Sequence, residues 1–260
     1  MKVDSQTVAI VTGGASGLGR AAAEALAAAG AKVAIFDINE EVGREFARTI
    51  GGHFCPVDIL SEESVVRGFA DARATQGQER VLVHCAMANR KGKTVGRNRE
   101  TGELTRFSTE DFEFAMQGIL VASYRLASHA AFGMASLDPL EDGERGSIVL
   151  TSSVAAEDGQ VGQVAYGAGK SGVNGLVLPM ARDLMDVGIR VNAIMPGIFA
   201  TPLLGRLPEK VLTNLSDSVP FPKRLGRPEE FASLVLELVR NSYFNGQSMR
   251  LDGAIRMAAR

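Results

Sequence analysis

Residues 8–12, VAIVT, are apolar and mostly β-branched, and they run directly into the turn GGASGLG and the alanine-rich stretch RAAAEALAAAG. Such a run predicts a strand buried on both faces, and the alanine-rich stretch predicts a helix near 17–29. The reversal between them falls on a turn holding Gly13, Gly14, Gly17 and Gly19. Only residues without a Cβ let a chain leave a strand and enter a helix in so little space. A strand joined to a helix in this way opens a βαβ unit, and parallel sheets are built from such units.

The alternation continues along the 260 residues. Strands are predicted at Val8–Thr12, Lys32–Asp37, His53–Val57, Val81–Cys85, Ser147–Thr151, Arg190–Met195 and Ser248–Leu251. Helices are predicted near 17–29, 62–76, 109–134, 165–187, 202–215 and 228–240. Nearly every strand lacks a polar face, as expected where helices cover both sides. This is the α/β class: a doubly wound Rossmann fold with a seven-stranded, mostly parallel sheet flanked by helices on both faces. At 45% hydrophobic residues the chain can fill such a core, and residues 1–260 read as one domain. Gly30 can end the first helix, and Ser108 can cap the fourth with Asp111 three residues on. Pro228 suits the first turn of the last helix, whereas Pro179 predicts a kink in the fifth.

The net charge of −2 and a pI near 6.0 leave no footprint for nucleic acid or an acidic membrane. No leader and no membrane-spanning run are visible, so a cytoplasmic protein is expected. Cys55 and Cys85 read as packed thiols in a reducing compartment. His53, His84 and His129 show no metal-ligand spacing, and no metal is expected. The segment 90–106, RKGKTVGRNRETGELTR, holds six basic and two acidic residues and interrupts the alternation. It reads as a solvated loop or hairpin, or as a basic lip beside an anionic ligand. The insertion extends to about 107.

The turn after the first strand has the pattern G-x-x-x-G-x-G at Gly13, Gly17 and Gly19. Its backbone N–H groups, at a helix N-terminus, suit a pyrophosphate. Asp37 lies 18 residues beyond Gly19 (37 − 19), at the end of the second strand. A carboxylate there can accept both ribose hydroxyls and repels a 2′-phosphate. No lysine or arginine stands at Gly14, Ile38 or Asn39 to offset it, so NAD is expected over NADP. Asp58, ending the third strand, reads either as a partner of the adenine amino group or as a cap for the helix that begins at 61.

Ser152 and Ser153 end the fifth strand, where open α/β sheets place their ligands. Tyr166 follows Ser153 by 13 residues (166 − 153), and Lys170 follows Tyr166 by 4 (170 − 166), one helical turn. A nearby ammonium favours the phenolate. Tyr166 can then exchange a proton with a substrate oxygen that Ser153 positions.

These residues together resemble the short-chain dehydrogenase/reductase family. The resemblance rests on the glycine turn, Ser153, Tyr166-x-x-x-Lys170 and the segment VNAIMPGIFATPL at 191–203, and it spans essentially the whole chain. SVAAEDGQVGQVAY, PLLGRLPEKV, VPFPKRLGRPEE and LDGAIRM are similar to the subfamily of type-2 3-hydroxyacyl-CoA dehydrogenases. The resemblance implies an NAD-dependent oxidoreductase acting on a secondary alcohol or ketone, such as a 3-hydroxyacyl-CoA, with Ser153, Tyr166 and Lys170 catalytic. It implies cofactor contacts from Gly13, Ser16, Gly17, Leu18, Gly19, Asp37, Asp58, Ile59, Cys85, Ala86, Tyr166, Lys170, Pro196, Gly197, Ile198 and Thr201. Substrate contacts would come from Ser153, Gln163, Tyr166, Phe199 and Leu203, with a lid over about 199–216. It also implies a homotetramer built through the fourth and fifth helices and the C-terminal strand.

Two positions depart from the family pattern. Met87 stands where a glycine is usual after the fourth strand, in the run His84-Cys85-Ala86-Met87. Ile119 stands where many members carry a water-binding asparagine on the fourth helix. Two alternatives therefore stay open: a dehydrogenase of a steroid or other secondary alcohol, and a cofactor-binding member with weak or no catalysis.

Overall fold

The structure is a computed structural model and describes residues 1–259 except Leu203 and the side chain of Arg206. Seven strands form one sheet: β1 (Val8–Thr12), β2 (Lys32–Asp37), β3 (His53–Pro56), β4 (Val81–His84), β7 (Gly146–Thr151), β8 (Ile189–Pro196) and β9 (Ser248–Leu251). Their order is β3-β2-β1-β4-β7-β8-β9, and every pairing among them is parallel. The expected "mostly parallel" sheet is thus wholly parallel among the described residues.

Alternate residues feed two cores, as the pleat requires. Ile10, Leu82, Ile148 and Leu150 pack under one helical layer, and Ala9, Val11, Val83 and Val149 under the other. Each fully buried aliphatic side chain contributes about 1.5–3 kcal/mol relative to exposure. The helices are α1 (Gly17–Ala28), α2 (Glu40–Thr49), α3 (Glu62–Gln76), α4 (Thr109–Met116), α5 (Ala122–Met134), α6 (Val164–Asp183), α7 (Glu209–Asp217) and α8 (Pro228–Arg240).

Ser108 Oγ accepts from Asp111 N at 3.0 Å and so caps α4, and Pro228 opens α8, both as expected. Four expectations are corrected. α2 lay outside the predicted helices, because its buried stripe is only Gly43, Phe46 and Ala47. Its local signals were nevertheless present: Asn39 accepts from Val42 N, and Glu40 and Glu41 fill the first turn. Pro179 does not break α6. The helix predicted over 202–215 is instead a 3₁₀ turn, Leu204–Arg206, followed by α7. Finally, the helix over 109–134 is interrupted by a π turn at Gln117–Val121. There Ala88 N donates to Gly118 O at 3.2 Å, and a Cβ at Gly118 would collide with Ala88. The helix yields to the loop that follows β4.

The basic segment forms an antiparallel hairpin, β5 (Val95–Arg97) and β6 (Leu104–Arg106). It is anchored at its root. Gly92 N donates to Gly162 O at 3.1 Å, and Gly92 bridges Gln163 at the start of α6.

Candidate active site

The carboxyl ends of β1, β2, β3 and β4 open onto a cleft of ≈ 610 Å³. Gly13 and Gly17 have φ of +65° and +56°, a left-handed conformation that disfavours side chains. A Cβ at Gly13 would stand 2.9 Å from Ala86 N, and one at Gly19 would collide with the Gly13 carbonyl. The turn is therefore packed backbone to backbone against the end of β4. Gly13, Ser16, Gly19, Asp37, Asp58, Ile59, Cys85, Ala86 and Thr201 all line the cleft. Gly17 sits against Thr201, and Leu18 turns into the core. Asp37 is held by Ala15 N at 3.1 Å and Asn39 N at 3.0 Å. Ser61 caps α3 by accepting from Ser64 N, so Asp58 does not serve as that cap.

Met87 also lines the cleft, 43% exposed. Its φ is not positive, so no glycine is required there. Ile38, Leu60 and Phe114 line the cleft as well and were not anticipated. Ile38 and Leu60 directly follow the two cleft aspartates or their neighbours, which was a usable signal. Phe114 arrives from α4 through the fold alone.

Below the cleft, Thr12 Oγ1 accepts from Cys85 N (3.1 Å) and Ala86 N (3.2 Å). Its own proton therefore goes to His84 Nδ1, 2.7 Å away. This fixes the His84 tautomer with hydrogen on Nε2, an atom buried without a partner among the described residues. Burial, with a smaller effect from the Lys170 charge, lowers the His84 pKa to about 3. His84 is neutral at physiological pH.

The chemical residues lie at the ends of β7 and α6. Ser153 Oγ accepts from Ala155 N at 3.1 Å, which leaves its hydroxyl proton free to donate. Lys170 is 4% exposed; its Nζ donates to Thr151 O at 2.6 Å and lies 5.9 Å from the centre of the Tyr166 ring. Burial lowers the Lys170 pKa to about 8. Burial also raises the Tyr166 pKa, and a Ser153 hydrogen bond partly offsets this. The Lys170 ammonium is held by the Thr151 carbonyl beside the Tyr166 ring.

Ile119, 1% exposed, leans on α6 beside this group. A Cβ at Gly169 would stand 3.0 Å from Ile119 Cγ2, and one at Gly172 would stand 2.9 Å from Leu120 Cδ2. These two glycines let α6 and the π turn touch. Asn89 Oδ1 is buried without a partner among the described residues.

At the start of α6 a cavity of ≈ 500 Å³ is lined by Ala155, Gln163 and Gly167 and by Gly92, Lys93 and Thr94 of the hairpin root. A second, of ≈ 460 Å³, shares Lys93, Gln160 and Val161 with it and adds Arg99. Gln163 is therefore placed at this cavity. Phe199 is not: it is buried edge-on to Phe231 and lines a separate small cavity with Ile198. Pro196 ends β8, and Gly197 N donates to Leu251 O. Leu203 lies outside the described residues.

A dinucleotide suits the cleft. The glycine turn offers N–H groups with no Cβ in the way, Asp37 faces the position of a ribose, and no lysine or arginine is among the lining residues. Fold and cleft together define a dinucleotide-binding α/β protein with an acid–base group beside it. Known proteins narrow that class. The family described as Enoyl-(Acyl carrier protein) reductase matches residues 13–255. The 3-hydroxyacyl-CoA dehydrogenase type-2 of Drosophila melanogaster is 44% identical over 96% of this chain and 97% of its own. The Homo sapiens protein of that name is 44% identical over 96% of this chain and 95% of its own. A crystal structure of 3-hydroxyacyl-CoA dehydrogenase type-2 from Mycobacterium avium superposes with a TM-score of 0.92, at 38% identity over 98% of both chains. The chain belongs to the short-chain dehydrogenase/reductase family and is an oxidoreductase acting on a secondary alcohol or ketone. Among the described residues no helix is long and apolar enough to cross a membrane.

Proposed function

We propose that the chain is an NAD-dependent dehydrogenase of 3-hydroxyacyl-CoA, working reversibly on the 3-ketoacyl-CoA. The observation that carries this reading is the pair of adjoining cavities running from Gly167, next to Tyr166, to Lys93 and Arg99 on the hairpin. One end is lined by Ala155 and Gly167, which flank the acid–base group in the chain. The other offers cations to the phosphates of a CoA ester. The names of the relatives in Drosophila melanogaster and Homo sapiens support the same substrate.

NAD, when bound, supplies the hydride acceptor. Asp37 holds the ribose hydroxyls and disfavours a 2′-phosphate, and the N–H groups of the glycine turn hold the pyrophosphate. Ser153 donates its free proton to the reacting oxygen and fixes that oxygen beside Tyr166. As the phenolate, which the Lys170 charge and an oxidised nicotinamide would together favour, Tyr166 takes the hydroxyl proton as the C–H bond breaks with its electron pair, and in the reverse direction the neutral phenol returns the proton. Lys170 binds ribose hydroxyls from its anchored position at Thr151. Exposed Tyr124 and Phe132 on α5 and Leu178 on α6 support assembly into a homotetramer, which light scattering would test. The free thiols of Cys55 and Cys85 support a reducing, cytoplasmic compartment.

The test follows NADH absorbance with acetoacetyl-CoA and with a panel of small ketones. Turnover of acetoacetyl-CoA well above that of the Tyr166→Phe variant is expected. NADH binding without turnover would make the chain a cofactor-binding member only. Neutralising the hairpin with Lys93→Gln, Arg97→Gln and Arg99→Gln should raise KM for the CoA ester and leave KM for a small ketone unchanged. An equal effect on both removes the CoA reading.

A further inference from the structure

The edge strand β3 and helix α3 carry a side-chain cluster that the chemistry above leaves unused. His53 and Cys55 are two apart on β3, so both side chains leave one face of the sheet. On that face Cys55 packs with Val65, Phe69 and Ala72 of α3. The same helix brings Asp71 over the pair. His53 Nε2 lies 2.9 Å from Asp71 Oδ2, and the donor atoms of all three residues lie within 4.8 Å of one another. Cys55 is 0% exposed, whereas the side chains of His53 and Asp71 keep 27% and 49% of their surface. The sulfur therefore forms a floor and the nitrogen and oxygen form a rim open to solvent.

An ion pair between His53 and Asp71 needs no sulfur beneath it. A sulfur, an imidazole nitrogen and a carboxylate oxygen converging on one point are a zinc donor set, with a fourth position left for water. The nearby guanidinium of Arg44 is engaged by Glu40 at 3.0 Å and lies over the Phe54 ring. Sequence spacing did not reveal the cluster, because its third member comes from a different element.

We propose that His53, Cys55 and Asp71 form a surface site for one Zn²⁺ ion, separate from the catalytic group, that ties β3 to α3. The connection between these two elements holds Asp58, at the cleft, and the Ser61 cap. An ion at this site would fix the spacing of the elements that bound the adenosine end.

The test uses the full chain, reduced and stripped of metal, titrated with Co²⁺. One equivalent should bind and give a sulfur-to-cobalt charge-transfer band in the near ultraviolet, with visible bands of tetrahedral intensity. One equivalent of Zn²⁺ should displace it. Cys55→Ser should abolish the charge-transfer band, and Cys85→Ser should keep it. His53→Ala, a change at the rim that spares the core, should leave the circular dichroism unchanged and weaken Zn²⁺ about tenfold or more. Failure to bind at micromolar metal overturns the proposal. So does binding without the charge-transfer band, a band that survives Cys55→Ser, or unchanged Zn²⁺ affinity in His53→Ala.

Discussion

The two halves of the sheet's carboxyl edge are built on different principles. The adenosine half, around Gly13, Asp37 and Asp58, is made of backbone geometry and an exposed carboxylate, and it opens to solvent. The chemical half, around Lys170, His84 and Ile119, is dry: all three side chains are buried. In the first half glycine makes room for a ligand. In the second, Gly169 and Gly172 make room for Ile119 and Leu120 of the chain itself. The same residue type therefore serves recognition in one place and packing in the other.

The sharpest way to break the contrast is Tyr166→Phe. Loss of the proton-transferring hydroxyl should lower kcat by about 10²–10⁴-fold. NADH binding, read by fluorescence, should be unchanged, because the adenosine half is untouched. A parallel loss of binding would mean that the halves are not separable.

His84 tests the dry half by pH. Its pKa is about 3 in the fold and near 6.5 when exposed, so the unfolded chain binds the extra proton between these values. Stability from this group is complete above pH ~6.5 and is lost as pH falls toward ~3, on the order of 4–5 kcal/mol in all. His84→Asn should flatten that acid limb in denaturant melts recorded from pH 7 to pH 4. An unchanged slope would show that His84 is not kept neutral by burial.

Gly169→Val should cost about 1–3 kcal/mol by overpacking against Ile119, and Ile119→Ala in the same chain should return part of it. Melting temperatures of the four variants of that cycle check the coupling. The smallest effect is expected at the adenosine rim. Asp37→Ser should narrow the preference for NADH over NADPH by about tenfold, a difference of about 1.4 kcal/mol, because it removes one half-buried carboxylate from the cleft. A preference that does not move would place specificity elsewhere in the cleft.

The same contrast explains what could be read from residues alone. The strand–helix alternation, the sheet and the glycine turn follow from local chemistry, and the sequence marks them openly. Tyr166 and Lys170 share the first turns of α6, where Lys170 Nζ donates to Thr151 at the end of β7. What stayed hidden depends on two elements meeting. The π turn needs Ala88 against Gly118, the freedom of Asp58 depends on Ser61, and the inward turn of Phe199 depends on Phe231. α2 is the exception, since its capping signals were local and its apolar stripe was simply thin.

The π turn at Gln117–Val121 also has a bearing on how this helix can vary. A π turn houses one residue more than α-helical winding would. Deleting a single residue there would therefore restore regular winding and leave the downstream residues on their present faces, with Tyr124 and Phe132 outside, 54% and 83% exposed, and Leu126 and Ala130 in the core. Removing one residue from the regular winding of α5 would instead turn everything beyond it by about 100° and scramble both faces. The turn is thus a reserve of chain: it is the one place along this helix where a residue can be lost without changing the register of α5.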